Sequence, residues 1–165
     1  MSVDVIVGRY AWIAFLLFTA GMLLPAAGLR ERLRNDATFA EADRAIRLKA
    51  VLWMSVPWLV MGLGILAGGV PSLWHFFSPR HGGPWVFAFF LSVFAVWAAS
   101  AYWIFVGDGA SAIADHQLMR VRGIRGRVEL TPKLVKFFCA LSLLGGVVAV
   151  TLMFSGAFDA LPNVR

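Results

Sequence analysis

Residues 102–127 read YWIFVGDGASAIADHQLMRVRGIRGR. The stretch leaves an apolar run, passes a Gly-Asp-Gly and an Asp-His pair, and ends in four arginines, Arg120, Arg122, Arg125 and Arg127. An apolar run that stops at such a cluster reads as a helix leaving a membrane. The side that keeps the arginines then sets the direction of every other helix, because basic residues in short connections stay on the cytoplasmic side.

The run that ends here spans roughly Trp85–Val106, and three others accompany it, roughly Tyr10–Leu29, Ala50–Val70 and Lys136–Phe158. Each holds about 20 residues, which at about 1.5 Å per residue crosses a hydrocarbon core of about 30 Å. The 165-residue chain is 60% hydrophobic and only 15% charged, whereas soluble domains carry about 25% charge. The first run reads as a retained helix, not a signal peptide. Only Arg9 precedes it as a base, and it exceeds the roughly 7–15 residues of a signal's apolar region.

Charge is unevenly spread. Residues 30–49 hold Arg30, Arg32, Arg34, Arg44, Arg47 and Lys49, and residues 107–136 hold Arg120, Arg122, Arg125, Arg127, Lys133 and Lys136. Elsewhere there are only Arg9, Arg80 and Arg165. Twelve against three predicts an all-α membrane protein of one domain. Its four transmembrane helices form an antiparallel up-down bundle, with basic cytoplasmic loops 30–49 and 107–135. Both termini and the short 71–84 loop lie on the outer, periplasmic side. The expected location is the bacterial cytoplasmic (inner) membrane. The net charge of +6 is then topological. It does not point to nucleic acid, because no aromatic-basic platform goes with it. Arg30, Arg32, Arg34, Arg120, Arg122, Arg125 and Arg127 are expected to meet anionic lipid headgroups, at about 1 kcal/mol each. Trp12, Trp53, Trp74, Trp85 and Trp103 fall near run ends, where an amphipathic ring prefers the headgroup layer. Trp58 and Trp97 lie deeper.

Thr38 with Glu41 makes a capping-box pattern, so the second helix is expected to start near Phe39, outside the membrane, and run to about Gly68. Thr131-Pro132 sets a cap residue before a proline at the first position of the last helix. Pro57 is expected to kink or loosen the second helix.

The four apolar runs hold no Asp, Glu, Lys, Arg or His between their ends, which argues against proton relays and against a membrane haem with axial histidines. The expectation is no cofactor. His75 and His81, in WHFFSPRHGG, could meet at a copper or zinc ion but lack a third ligand nearby. If the third helix continued past Val106, Asp108, Ser111 and Asp115 would share a face at i, i+3 and i+7, with His116 on another. Two carboxylates in register could hold a hard cation or pair with arginines, making Asp108, Asp115 and His116 the candidate catalytic set. Cys139 stands alone, so it offers neither an intrachain disulfide nor a thiolate cluster. Gly64 and Gly68 in the second helix, and Ser142 and Gly146 in the fourth, form small-xxx-small patterns that let helices approach closely, within the chain or with another.

Residues 42–57, ADRAIRLKAVLWMSVP, are similar to the start of the second helix in the small four-helix glutathione- and eicosanoid-metabolising membrane enzymes. Arg44, Arg47 and Pro57 fall where that family has two arginines and a proline. Val51 and Met54 stand at its asparagine and glutamate positions, and the third helix lacks its arginine. The resemblance therefore carries over no glutathione site.

Three function classes follow. One is an accessory or structural subunit that packs against a membrane-protein partner or a second copy of itself. Another is an oligomeric small-molecule or ion carrier. The third is a membrane-surface enzyme acting on an anionic or lipophilic substrate at the cytoplasmic face.

Overall fold

The computed structural model describes residues 3–25, 29–119, 122–123, 126–127 and 130–159. The chain is helical: α1 (Val3–Ala20), α2 (Arg30–Asn35), α3 (Ala37–Leu66), α4 (Pro84–Phe105), α5 (Gly109–Asp115) and α6 (Pro132–Ser155). A two-residue antiparallel ladder pairs β1 (Arg122–Gly123) with β2 (Gly126–Arg127). Four helices are long and apolar enough to cross a membrane, the make-up of an integral membrane protein: α1 with the turn after it, α3, α4 and α6.

Local chemistry explains most boundaries. The α1 helix lies about seven residues nearer the N-terminus than hydropathy suggested. It gives way at Gly21 to a 3-10 turn, Gly21–Leu23, two residues before Pro25. Hydropathy runs on through Met22–Leu24, but a glycine and a nearby proline stop the helix. The 30–49 segment, expected as a connection, is helical. It holds α2 and the first thirteen residues of α3. The cap of α3 is Asp36 rather than Thr38: its carboxylate accepts the Phe39 N–H at 2.9 Å. Acidic and hydroxyl side chains both cap well, and Asp36 reaches the free N–H groups first. Pro57 is buried inside α3, and the helix runs through it. Gly68, expected at a helix contact, lies past the end of α3 with φ +71, and a Cβ there would meet nothing within 4 Å. Its task is the left-handed turn that releases the chain. Thr131 caps α6 through the Leu134 N–H at 3.3 Å, with Pro132 at the first position. Gly156, at φ +86, closes it.

The spanning helices follow chain order in space. α1 packs on α3 and α3 on α4, while α6 meets α4 more thinly. α6 is fastened mainly at its ends, to α5 at one and to residues 79–81 at the other. There Arg80 Nε donates to the Phe154 carbonyl at 2.7 Å, a cation at a helix C-terminus. The apolar stretch of each span is 28% buried in α3, 22% in α4, 11% in the first span and 0% in α6.

Tryptophan rings seated against glycines join these helices. A Cβ built on Gly62 would lie 2.6 Å from the Trp12 ring, one on Gly69 2.3 Å from Trp85, and one on Gly146 2.5 Å from Trp97. Gly64 also faces Trp85, at 3.1 Å. In lipid, where water does not drive helices together, such close van der Waals packing holds them. Gly64 and Gly146, two of the small residues singled out in the sequence, are thus spent inside the chain. A main cluster of Met61, Ile65, Phe76, Val86, Phe89 and Phe90 fills the end of the structure near the 71–84 connection.

Candidate functional site

The polar centre of the molecule lies at the opposite end, where α2, α3 and α5 meet the turn after α1. Asp43 and Arg47 sit one turn apart on α3, each only 3% exposed. Arg47 Nε donates to Asp43 Oδ2 at 2.7 Å. Arg47 Nη1 reaches the Met22 carbonyl at 3.1 Å, and Nη2 reaches the His116 carbonyl at 2.6 Å. The His116 ring, at the C-terminal end of α5, closes the set with Nδ1 3.1 Å from Asp43 Oδ1. The carboxylate accepts there when Nδ1 carries the ring proton.

Phe39, one turn before Asp43, stacks on the His116 ring with centroids 4.6 Å apart and planes 4° from parallel. The Arg32 guanidinium of α2 lies 3.8 Å over the Phe39 centroid, a cation–π arrangement. Gln117 takes a left-handed φ of 44 directly after His116. The tight end of α5 leaves the His116 carbonyl free for Arg47.

Each oxygen of Asp43 has a donor, and Arg47 donates in three directions. Buried charges are tolerated when paired and hydrogen-bonded in this way. The arrangement clamps four pieces of backbone together. It offers no nucleophile, and no group of three or more metal-ligating side chains occurs among the described residues.

The residues singled out in the sequence are dispersed. α4 ends at Phe105, the chain bends over 106–108, and α5 starts at Gly109. Asp108 is exposed, and one carboxylate oxygen accepts from Trp103 Nε1 at 3.2 Å. Ser111 and Asp115 are exposed as well, whereas His116 turns inward to Asp43. His75 Nδ1 sits 3.2 Å from the Ser72 hydroxyl. Arg30 and Arg34 are exposed on α2, while Arg32 is engaged by Phe39. Ser142 is exposed. Arg120, Arg125 and the side chains of His81, Arg122 and Arg127 lie outside the described residues.

Asp43 and Arg47 were the residues that sequence reasoning missed as a site. Their signal was an Asp and an Arg at i, i+4, which places them on one helix face, together with a lone histidine in the other basic connection.

A second feature adjoins this end. A groove of about 780 Å³ lies between α3 and α4, lined by Lys49, Ala50, Trp53, Ala99, Ser100, Trp103 and Asp108 among others. No known protein-family model, curated protein or solved structure matches this chain.

Proposed function

We propose that this chain is an accessory subunit of the bacterial inner membrane, working by packing α6 against another membrane chain. The observation that carries this reading is the outward face of α6. Gly146 is filled by Trp97, but a Cβ on the adjacent Gly145 would meet nothing within 4 Å. Ser142, Gly145 and Ala149 are all exposed and follow one another at three- and four-residue steps. The flanking Leu141, Leu144, Val148 and Leu152 are 45–62% exposed. A small-residue furrow between aliphatic ridges is what a second transmembrane helix packs into. The Asp43–Arg47–His116 clamp supports the same reading, since both Asp43 oxygens and all three Arg47 nitrogens are spent on holding the fold.

Gly145→Leu tests it, because the substitution has room within the chain. Wild-type protein in mild detergent is expected to migrate on blue native gels above the monomer. The variant is expected to lose that form, with association weakened about tenfold, the equivalent of about 1.4 kcal/mol. A wild-type monomer, or an unchanged complex in the variant, removes the basis of the proposal.

The orientation that goes with it puts both termini and the 71–84 connection outside, because the basic residues gather at the other end. In a Cys139→Ser background, Gly83→Cys is expected to react with an impermeant maleimide in intact cells. Ser111→Cys should react only after lysis. The reverse pattern would invert the topology.

A further inference from the structure

We infer that the groove between α3 and α4 binds one aminophospholipid, with its zwitterionic head at Lys49 and Asp108 and an acyl chain running along the groove into the membrane. The volume, about 780 Å³, lies within the range of about 300–1,000 Å³ typical of small-ligand sites. The lining is graded along its length. Lys49 and Asp108 stand at one end. Ile46 and Ala112 line that end too, and Leu52 lies between Lys49 and Trp53; Trp53 and Trp103 follow, and then Ser100, Ala99 and Val56. From Lys49 to Val56 the rise along α3 is about 10 Å. The two charges and both indoles therefore sit toward one end of the groove, and Ser100, Ala99 and Val56 lie deeper, where the glycerol and acyl chain of a phospholipid would run. Tryptophan favours that boundary layer.

Two polar side chains of the lining, exposed Lys49 and half-buried Ser100, are open to a ligand. Among the described residues, Lys49 forms no ion pair, with Asp108 or with any other carboxylate. The Ser100 hydroxyl forms no hydrogen bond there either, although Thr19 and Thr151 bond the carbonyl four residues back. A half-buried serine one turn inside Trp103 is placed for an ester carbonyl of the glycerol. The two charges decide the head. Lys49 complements the phosphate. Asp108, held by the Trp103 indole at 3.2 Å, complements an ammonium. An anionic head without an amine would meet Lys49 but be repelled by Asp108. The site shares no residue with the outward face of α6, so the two readings stand or fall separately.

The test is lipid retention by the full-length protein, exchanged in detergent against equimolar phosphatidylethanolamine and phosphatidylglycerol and read by native mass spectrometry. Wild type is expected to keep one phosphatidylethanolamine in preference to phosphatidylglycerol by roughly five- to tenfold, the scale of one net hydrogen bond at a solvent-exposed carboxylate. Asp108→Asn should bring the two lipids level. Lys49→Gln should weaken both. Ala99→Phe, which fills the groove, should abolish retention of either. Equal retention of both lipids by wild type, or an unchanged preference in Asp108→Asn, overturns the inference. Asp108 is exposed, so its variant tests the point even if Ala99→Phe fails to fold.

Discussion

Arg47→Ala is expected to destabilise the protein by about 3–5 kcal/mol, the usual cost of removing one partner from a buried ion pair. Alanine would leave the Asp43 carboxylate, in a residue 3% exposed, with His116 Nδ1 as its remaining partner. It would also strip a donor from the carbonyls of Met22 and His116. Those carbonyls belong to the turn after α1 and to the end of α5, so the loss is felt in three places at once. Arg47→Lys should recover little of it. An ammonium cannot present a fixed planar fork to Asp43, Met22 and His116 together. Arg44→Ala is the matched control. It lies on the same turn of α3 but is exposed, and such surface changes stay within about 0.5 kcal/mol. Unfolding in detergent, followed by tryptophan fluorescence, measures all three. Equal effects at positions 44 and 47 would show that the clamp contributes nothing special.

The contrast between those two arginines marks where sequence reading stops. Both lie in the basic segment 30–49, and composition treats them alike. Arg44 and Arg47 are three residues apart, about 300° around a helix, so which one faces the core depends on what packs there. The packing partners come from positions 25 and 69 residues away in the chain. Features fixed by neighbours were legible. Thr131-Pro132 marks the start of α6, and α3 does begin well before its apolar stretch. Features fixed by tertiary contact were not. The spacing of Gly64 and Gly68 is the same as that of any close-packed helix pair. Nothing in it says that Gly64 receives the Trp85 ring while Gly68 only turns the chain. Likewise, Asp108 and Asp115 sit at helical spacing, but the chain bends over 106–108 between them, and His116 turns inward to meet Asp43. The tryptophans illustrate the same limit. Their placement near run ends was visible, and their seating against glycines of neighbouring helices was not.

Gly62→Ala is expected to cost about 1–3 kcal/mol, an overpacking penalty that one methyl group generates because of where Trp12 sits. The added Cβ would lie 2.6 and 2.8 Å from two atoms in the body of the indole and 3.0 Å from a third. The ring has little freedom to move aside. Its Nε1 donates to the Arg9 carbonyl at 3.0 Å, and it packs against the main apolar cluster. Relief would therefore require α1 to draw away from α3, and that contact is among the broadest in the protein. Helix propensity works in the opposite direction, since alanine is favoured over glycine by about 1 kcal/mol within a helix. A net loss would thus understate the steric term. A double-mutant cycle separates the two. In a Trp12→Leu background the clash is gone and the propensity gain remains, so Gly62→Ala should become neutral or stabilising. The coupling energy between positions 12 and 62 then reports how much of the α1–α3 contact depends on a tryptophan lying flat on a glycine. An equal cost of Gly62→Ala in both backgrounds would mean that the ring is free to move and that the helices are held together elsewhere.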